Sequence, residues 1–168
     1  MGFSETGMTY DLMGNLLSLT RAGTGNGTLN YGYTGNQLTT LSGFKSGTNV
    51  YDPNGNLQTD GTRGATIQYN LLNLPQTVTA TGVNITYTYD ANGAKLRKVS
   101  NGTSTDYISG IQYKPDAATI DFIQTEEGRA INSGGSYNYE YTLTDHLGNN
   151  RVVFDMVNGK KMIIIRLG

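Results

Sequence analysis

The sequence predicts an all-β protein made of consecutive antiparallel β-hairpins. Three observations support this fold class. The chain has 23 threonines and 12 tyrosines, residue types that favour strands. It also has 23 glycines and 17 asparagines, which favour tight turns because they tolerate positive φ. Finally, a short motif recurs along the chain, which indicates an architecture built from one repeated supersecondary unit.

The recurring motif is Tyr-Asp-x-x-Gly-Asn-Leu or a close variant of it. Weaker copies, Tyr31 to Leu38 and Tyr69 to Pro75, fill the gaps between the clear ones, and the second has Asn70 and Asn73 in place of Asp and Gly. Tyrosines at positions 33, 51, 69, 89 and 107 are 18 to 20 residues apart, enough for two short strands and two turns. The clear copies contain Tyr10, Asp11, Gly14, Asn15, Tyr51, Asp52, Gly55, Asn56, Tyr89, Asp90 and Gly93, and a copy with Thr144 in the tyrosine place contains Asp145, Gly148 and Asn149.

Each motif residue has a local physical role. The tyrosine ends an alternating strand, as in Ile85 to Tyr89, where residues 85, 87 and 89 share one face. The aspartate begins the turn, and its carboxylate is expected to accept hydrogen bonds from amides two or three residues on. The glycine is expected to be left-handed and to close the turn. Tyrosine and leucine then supply packing.

This pattern resembles the RHS/YD-repeat family of bacterial polymorphic toxins, insecticidal toxin shell subunits and animal teneurins. The resemblance covers Tyr10 to about Phe154. Segments 122–130 and 139–153 look like the RHS repeat-associated core of that family, and the Asp-His-Leu-Gly-Asn form looks like its Bacteroidetes branch. The residues that carry the core resemblance are Glu126, Glu127, Gly128, Arg129, His146 and Arg151.

The resemblance implies both a fold and a function. In that family the repeats form a curved, spiral sheet that closes into a hollow shell around a C-terminal toxin, and the core caps one end. The implied role here is a structural segment of such a shell, without a toxin domain, cofactor or catalysis. The implied partners are other RHS repeats or a toxin domain in a full-length relative. Open sheet edges also predict self-association.

The sequence divides into YD repeats over 1–106, the associated core over 107–159 and an atypical tail over 160–168. We expect roughly 10 to 14 strands. The tail differs from family members, which tend to continue with Asp-Asp-Tyr-Tyr-Pro-Phe-Gly. Codons can be chosen for Lys161 to Gly168 that encode this segment when read two bases along. We therefore hypothesise a frameshifted or truncated product, and an ordinary apolar last strand is the alternative.

Composition argues against several classes of function. The formal charge of −1 provides no basic surface for nucleic acid or anionic membranes. The chain has no cysteine, and His146 is its single histidine, so a zinc site lacks ligands and a structural or turn role is favoured for His146. One aspartate per turn does not match a calcium loop. No apolar run approaches the ~20 residues that span a bilayer.

Three functions remain open: a scaffold segment, a carbohydrate- or surface-binding module using the tyrosines, and a hydrolase or self-cleaving protease. The charged residues Glu126, Glu127 and Arg129 fit either the family core or a solvated turn with an ion pair, and Arg151 is placed to pair with a repeat carboxylate. Met1 to Tyr10 lacks the features of a signal peptide. Full-length relatives are secreted or lie at the cell surface, and we expect a cytoplasmic location if the chain is expressed as it stands.

Overall fold

The computed structural model of the protein describes residues 4–23, 26–157 and 160–164. The chain forms two compact units, Met1–Thr86 and Tyr87–Gly168. The described residues form strands and turns only, and among them no helix is long and apolar enough to cross a membrane. The predicted all-β fold of consecutive antiparallel hairpins is therefore confirmed. The predicted division into residues 1–106, 107–159 and 160–168 is based on sequence motifs, whereas these two units are defined by their compactness. The predicted division therefore stays a prediction.

In the first unit each strand pairs antiparallel with the next along the chain. The strands are β1 (Glu5–Tyr10), β2 (Leu16–Arg21), β3 (Thr28–Thr34), β4 (Gln37–Gly43), β5 (Gly47–Tyr51), β6 (Leu57–Asp60), β7 (Ala65–Tyr69), β8 (Pro75–Ala80) and the beginning of β9 (Val83–Tyr89).

The second unit continues the same pattern from the end of β9. Its strands are β10 (Lys95–Ser100), β11 (Thr103–Ile108), β12 (Ile111–Tyr113), β13 (Ile120–Thr125), β14 (Gly128–Ser133), β15 (Ser136–Thr144), β16 (Asn150–Val157) and β17 (Lys160–Ile164).

The described residues therefore contain 17 strands, and the expected number of 10 to 14 was too low. Several strands are short, down to three residues in β12, because tight turns follow each other closely. Residues 107–157 also continue as hairpins instead of changing to another kind of structure.

The two faces of the first unit differ in chemistry. On one face threonines pair directly across strands, as in Thr20 with Thr28 and Thr59 with Thr66. On the other face Leu19 pairs with Leu29. Leu19 and Leu29 are only 4% and 5% exposed, and the other buried apolar residues described are Ala65, Ala130 and Val153. None of the larger described side chains is completely buried, so the buried apolar side chains form only a thin layer.

Part of the atypical tail is a strand. The backbone of Lys160–Ile164 pairs with β16, with Val153 opposite Ile164. This agrees with the alternative of a last strand over those five residues. The frameshift hypothesis concerns the nucleotide sequence and stays a prediction. Its residues from Ile165 onward lie outside the described part of the chain. Residues Met1 to Phe3, which belong to the segment assessed as a signal peptide, also lie outside it.

Candidate functional site

Five turns of the protein share one backbone geometry. In each, the amide of the first residue donates to the carbonyl oxygen of the fifth at 2.9–3.0 Å. The amide of the fourth residue donates back to the carbonyl oxygen of the first at 2.9–3.2 Å. The repeat found in the sequence is thus one geometric unit, including its weaker copy at Asn70. The five turns span residues 11–15, 52–56, 70–74, 90–94 and 145–149.

The aspartate caps its own turn through both carboxylate oxygens. Asp11 Oδ1 accepts from the amides of Met13 at 2.9 Å and Asn15 at 2.8 Å. Asn15 Nδ2 also donates to Asp11 Oδ2 at 2.8 Å, and Asp52 makes the same three bonds. The second amide is therefore four residues on, not three as the sequence suggested. The reason is that the amide three residues on already donates to the aspartate's main-chain carbonyl.

These hydrogen bonds stabilise the ionised carboxylates. The pKa of Asp11 lies below its ordinary value, first because the Asn15 side chain donates to the carboxylate. Asn56 has the same effect on the pKa of Asp52. The pKa of Asp145 is also lowered, chiefly by the backbone amide of Asn149. A carboxyl group that stays ionised and fully engaged as an acceptor is poorly suited to act as a general acid near neutral pH.

Two natural variants show which contacts every turn needs. Asn70 replaces the aspartate, and its neutral Oδ1 still accepts from the amides of Leu72 and Leu74 at 2.9 and 3.0 Å. The turn of Asp90 has Ala94 in the asparagine place, and it keeps both amide bonds, at 2.9 and 2.8 Å, without the side-chain bond. The two amide bonds are therefore common to all five turns, and the asparagine is an addition.

The fourth residue of each turn is left-handed, as the sequence predicted for the glycines. Gly14, Gly55, Gly93 and Gly148 have φ of +84°, +85°, +84° and +81°. In the weaker copy Asn73 has φ +57°, and asparagine is the residue that best replaces glycine in this conformation. A Cβ on Gly14 or Gly148 would meet nothing within 4 Å. Glycine is therefore favoured at these two positions by the backbone conformation and not by a lack of space for a side chain.

The tyrosines contribute hydrogen bonds as well as packing, which sequence reasoning missed. The hydroxyl of Tyr33 donates to the carbonyl oxygen of Leu16, and the hydroxyl of Tyr51 to that of Leu38, both at 3.0 Å. Tyr69 does the same to Leu57 at 3.0 Å. Each acceptor lies 12 to 17 residues upstream, in the preceding repeat. The regular spacing of the tyrosines was the signal that could have suggested a link between repeats.

Asparagine side chains link neighbouring turns in the first unit. Asn15 Nδ2 donates to Asn36 Oδ1 at 3.1 Å. Asn54 and Asn56 both donate to Asn73 Oδ1, at 2.9 and 3.1 Å. Asn15 and Asn56 therefore each serve two turns at once, capping their own carboxylate and contacting the next turn.

Among the residues from Glu126 to Arg129, which the sequence analysis compared with the RHS-associated core, Arg129 pairs with Glu140 on the next strand. Arg129 Nε donates to Glu140 Oε2 at 2.7 Å, and the guanidinium lies 5.5 Å from the ring centre of Phe122. Glu126 and Glu127 remain exposed at the turn. The sequence predicted a charged cluster of these two glutamates with Arg129. The three residues are close in sequence, but strand pairing places Arg129 opposite Glu140.

Gly128 has a steric role in this motif. A Cβ on it would overlap the carbonyl oxygen of Glu140 and lie 3.0 Å from the carbonyl carbon. A cavity of about 200 Å³ beside the ion pair is lined by Gln124, Gly128, Arg129, Glu140, Thr142, Asn150 and Val153. Asp155 lies opposite Glu140 on β16, and its buried Oδ1 has no hydrogen-bond partner among the residues that the structure describes.

His146 and Arg151 lie at the 145–149 turn. His146 is exposed at the second turn position, and within the described ranges no three histidine, cysteine, aspartate or glutamate side chains are grouped to hold a metal ion. Arg151 Nε donates to Asp145 Oδ2 at 2.8 Å, so it pairs with a repeat carboxylate as the sequence suggested.

Comparison with known proteins identifies relatives of the fold. The pore of the Photorhabdus luminescens Tc holotoxin, with a substitution in TccC3, is similar at a TM-score of 0.61 and 16% identity. The crystal structure of TcdB2-TccC3 without its hypervariable C-terminal region is similar at a TM-score of 0.53 and 15% identity. The chain shares its fold with Tc toxin components. Each match covers 91% of this chain and 9% of the other.

No family model and no curated protein matches the sequence. At 15–16% identity the structural similarity establishes the fold alone, and this chain corresponds to less than a tenth of the length of each toxin chain.

Proposed function

We propose that the chain is a structural segment of an RHS-type, toxin-encapsulating β-shell with no catalysis of its own. The observation that carries this proposal is the hydrogen bonding between repeats, from tyrosine hydroxyls to leucine carbonyls and between asparagines of successive turns. Such contacts stabilise a repeat only through its neighbours, as in other repeat proteins. The fold shared with Tc toxin components supports the same role, since the YD pattern resembles insecticidal toxin shell subunits.

Exposed apolar side chains at the turns also support a role within a larger structure. Leu12 and Leu71, at the tips of two repeat turns, are completely exposed. A longer repeat array or a partner would cover such side chains.

We propose that strand β1 is one contact for such a partner. In the described part of the first unit, β1 pairs with β2 only, and all six of its residues are exposed. Its outer side therefore presents unpaired backbone groups, which favour pairing with another strand. The partner is another RHS repeat of a full-length protein, or a second copy of this chain when the fragment is alone.

Three finer assignments belong to the same proposal. Residues 107–159 serve as the RHS repeat-associated core, where the Arg129–Glu140 ion pair and Gly128 hold β14 against β15. This chain is of the Bacteroidetes type, and full-length proteins of that type carry a C-terminal toxin domain. The full-length protein is secreted or lies at the cell surface.

The proposal is tested on the product of the complete locus. Limited proteolysis is expected to leave a protected C-terminal segment, and the triple variant Y33F/Y51F/Y69F is expected to lose that protection because it removes three links between repeats. Tyr10→Phe is the matched control, since within the described residues the Tyr10 hydroxyl donates to the nearby Met8 sulfur alone and Tyr10 is 57% exposed. A locus without further repeats, or a C-terminal segment cleaved equally fast in all variants, refutes the shell role.

A carbohydrate-binding module is the second candidate. Tyr137 and Tyr139 lie on the same face of β15 and are 36% and 53% exposed, so their rings are accessible for stacking on sugars. A glycan array separates the two functions. Specific binding that Y137A/Y139A abolishes favours the module, and the shell role predicts no specific binding.

A further inference from the structure

Two Asn-Gly dipeptides occupy the same place in two repeat turns. They are Asn54-Gly55 and Asn92-Gly93. Both asparagines are exposed, and the amide of each donates to the turn aspartate's Oδ1 at 2.9 Å. The glycines have φ of +85° and +84°. The two dipeptides are therefore closely matched in backbone conformation and hydrogen bonding.

Their side chains differ in one respect. Asn54 Nδ2 donates to Asn73 Oδ1 of the next repeat turn at 2.9 Å. The Asn92 side chain makes no hydrogen bond with any residue in the described part of the chain. Asn92 can therefore rotate about its side-chain bonds freely, while Asn54 must first break a contact.

We infer that Asn92 is a site of spontaneous deamidation and that Asn54 is protected by Asn73. The Gly93 nitrogen attacks Asn92 Cγ, a new C–N bond closes a succinimide ring, and the side-chain nitrogen leaves as ammonia with the proton lost from Gly93. Water then opens the ring at either carbonyl and gives aspartate or isoaspartate. Glycine favours the step because it has no Cβ to hinder the approach of its nitrogen.

The modification would weaken the turn in which it occurs. Asp90 Oδ1 accepts from the amides of residues 92 and 94, and a new carboxylate at position 92 adds a like charge beside it. The isoaspartyl product also lengthens the main chain by one methylene inside the turn. No asparagine at position 94 supplies the extra side-chain bond found at Asp11 and Asp52.

The test is a time course of the intact protein at mildly alkaline pH, followed by peptide mapping with mass spectrometry. Asn92 is expected to lose its amide about fivefold faster than Asn54, the factor that corresponds to one exposed hydrogen bond. In Asn73→Gly the rate at Asn54 is expected to rise by about the same factor. This variant keeps the left-handed conformation, because glycine occupies that position in the other four turns.

A second time course in denaturant controls for local sequence, and the two rates are expected to converge there. Four results would each overturn the inference. In the folded protein, these are no deamidation at Asn92, equal deamidation rates at Asn54 and Asn92, and an unchanged deamidation rate at Asn54 in the Asn73→Gly variant. The fourth is a difference between the two rates that persists in denaturant.

Discussion

The substitution Gly128→Ala is expected to separate strands β14 and β15. The new Cβ would overlap the Glu140 carbonyl oxygen and lie 3.0 Å from both the Glu140 carbonyl carbon and Tyr141 Cα. These are backbone atoms, so a side-chain rotation cannot relieve the clash. Overpacking of this kind costs about 3 kcal/mol. The opened strands would also strain the Arg129–Glu140 ion pair, which lies at the next position.

Gly134→Ala is the matched control in the same unit. Gly134 has φ +65°, and a Cβ there would meet nothing within 4 Å, so its cost is the left-handed conformation alone, about 1–2 kcal/mol. The readout is hydrogen exchange of the Thr142 amide, which donates to the Glu127 carbonyl at 2.8 Å.

Gly128→Ala should accelerate this exchange by about a hundredfold, the factor that corresponds to ~3 kcal/mol. Gly134→Ala should accelerate it by roughly tenfold. Exchange accelerated equally by the two substitutions would show that close backbone approach is not the reason for glycine at position 128.

Four further predictions concern other parts of the molecule. Chemical denaturation should rank wild type above Asp52→Asn and Asp52→Asn above Asp52→Ala, because a neutral Oδ1 keeps the two amide bonds, as Asn70 does; equal loss in both variants contradicts the capping role. Tyr69→Phe should destabilise the first unit by about 1 kcal/mol through loss of the hydrogen bond to the Leu57 carbonyl, and an unchanged denaturation midpoint would rule this out. The pKa of Asp116 is lowered to about 2, first by the Thr119 side chain, so its turn is stabilised above the unfolded value of 3.8 and loses this contribution as pH falls toward 2; an NMR titration with a midpoint near 3.8 would oppose this. Size-exclusion chromatography with light scattering should show self-association that rises with concentration, and a clean monomer throughout would argue against pairing at β1.

Much of the local structure could be predicted from the sequence because the interactions involved are local. The spacing of Asp and Gly within one motif placed the left-handed residue correctly in the four glycine turns, and the structure shows the same conformation at Asn73 in the weaker copy. The alternation in Ile85 to Tyr89 predicted the observed alternation of half-buried and exposed residues. Both features depend on only a few consecutive residues, which the sequence displays directly.

Contacts between repeats could not be predicted in the same way, because they depend on strand register. Arg129 is closer in sequence to Glu126 and Glu127, yet it pairs with Glu140 across the β14–β15 ladder. The leucine carbonyls that accept the tyrosine hydroxyls are backbone groups and leave no trace in residue type. The four-residue reach of the aspartate also depends on a backbone bond made by the glycine amide.

The sequence variants among the five turns distinguish the contacts that form a turn from the contacts that link one turn to the next. Asn70, Asn73 and Ala94 each replace a motif residue, yet every turn keeps its two amide bonds and its left-handed fourth residue. Several residue types can therefore form the turn. Links to the next turn are more selective, since Asn15 and Asn56 need an amide acceptor at Asn36 and Asn73. Of the four described turns that begin with aspartate, the Asp90 turn is the one without an asparagine at its fifth position. It keeps its shape without the side-chain bond that the aspartates at positions 11 and 52 receive, and this makes it the aspartate turn most sensitive to a change at its tip.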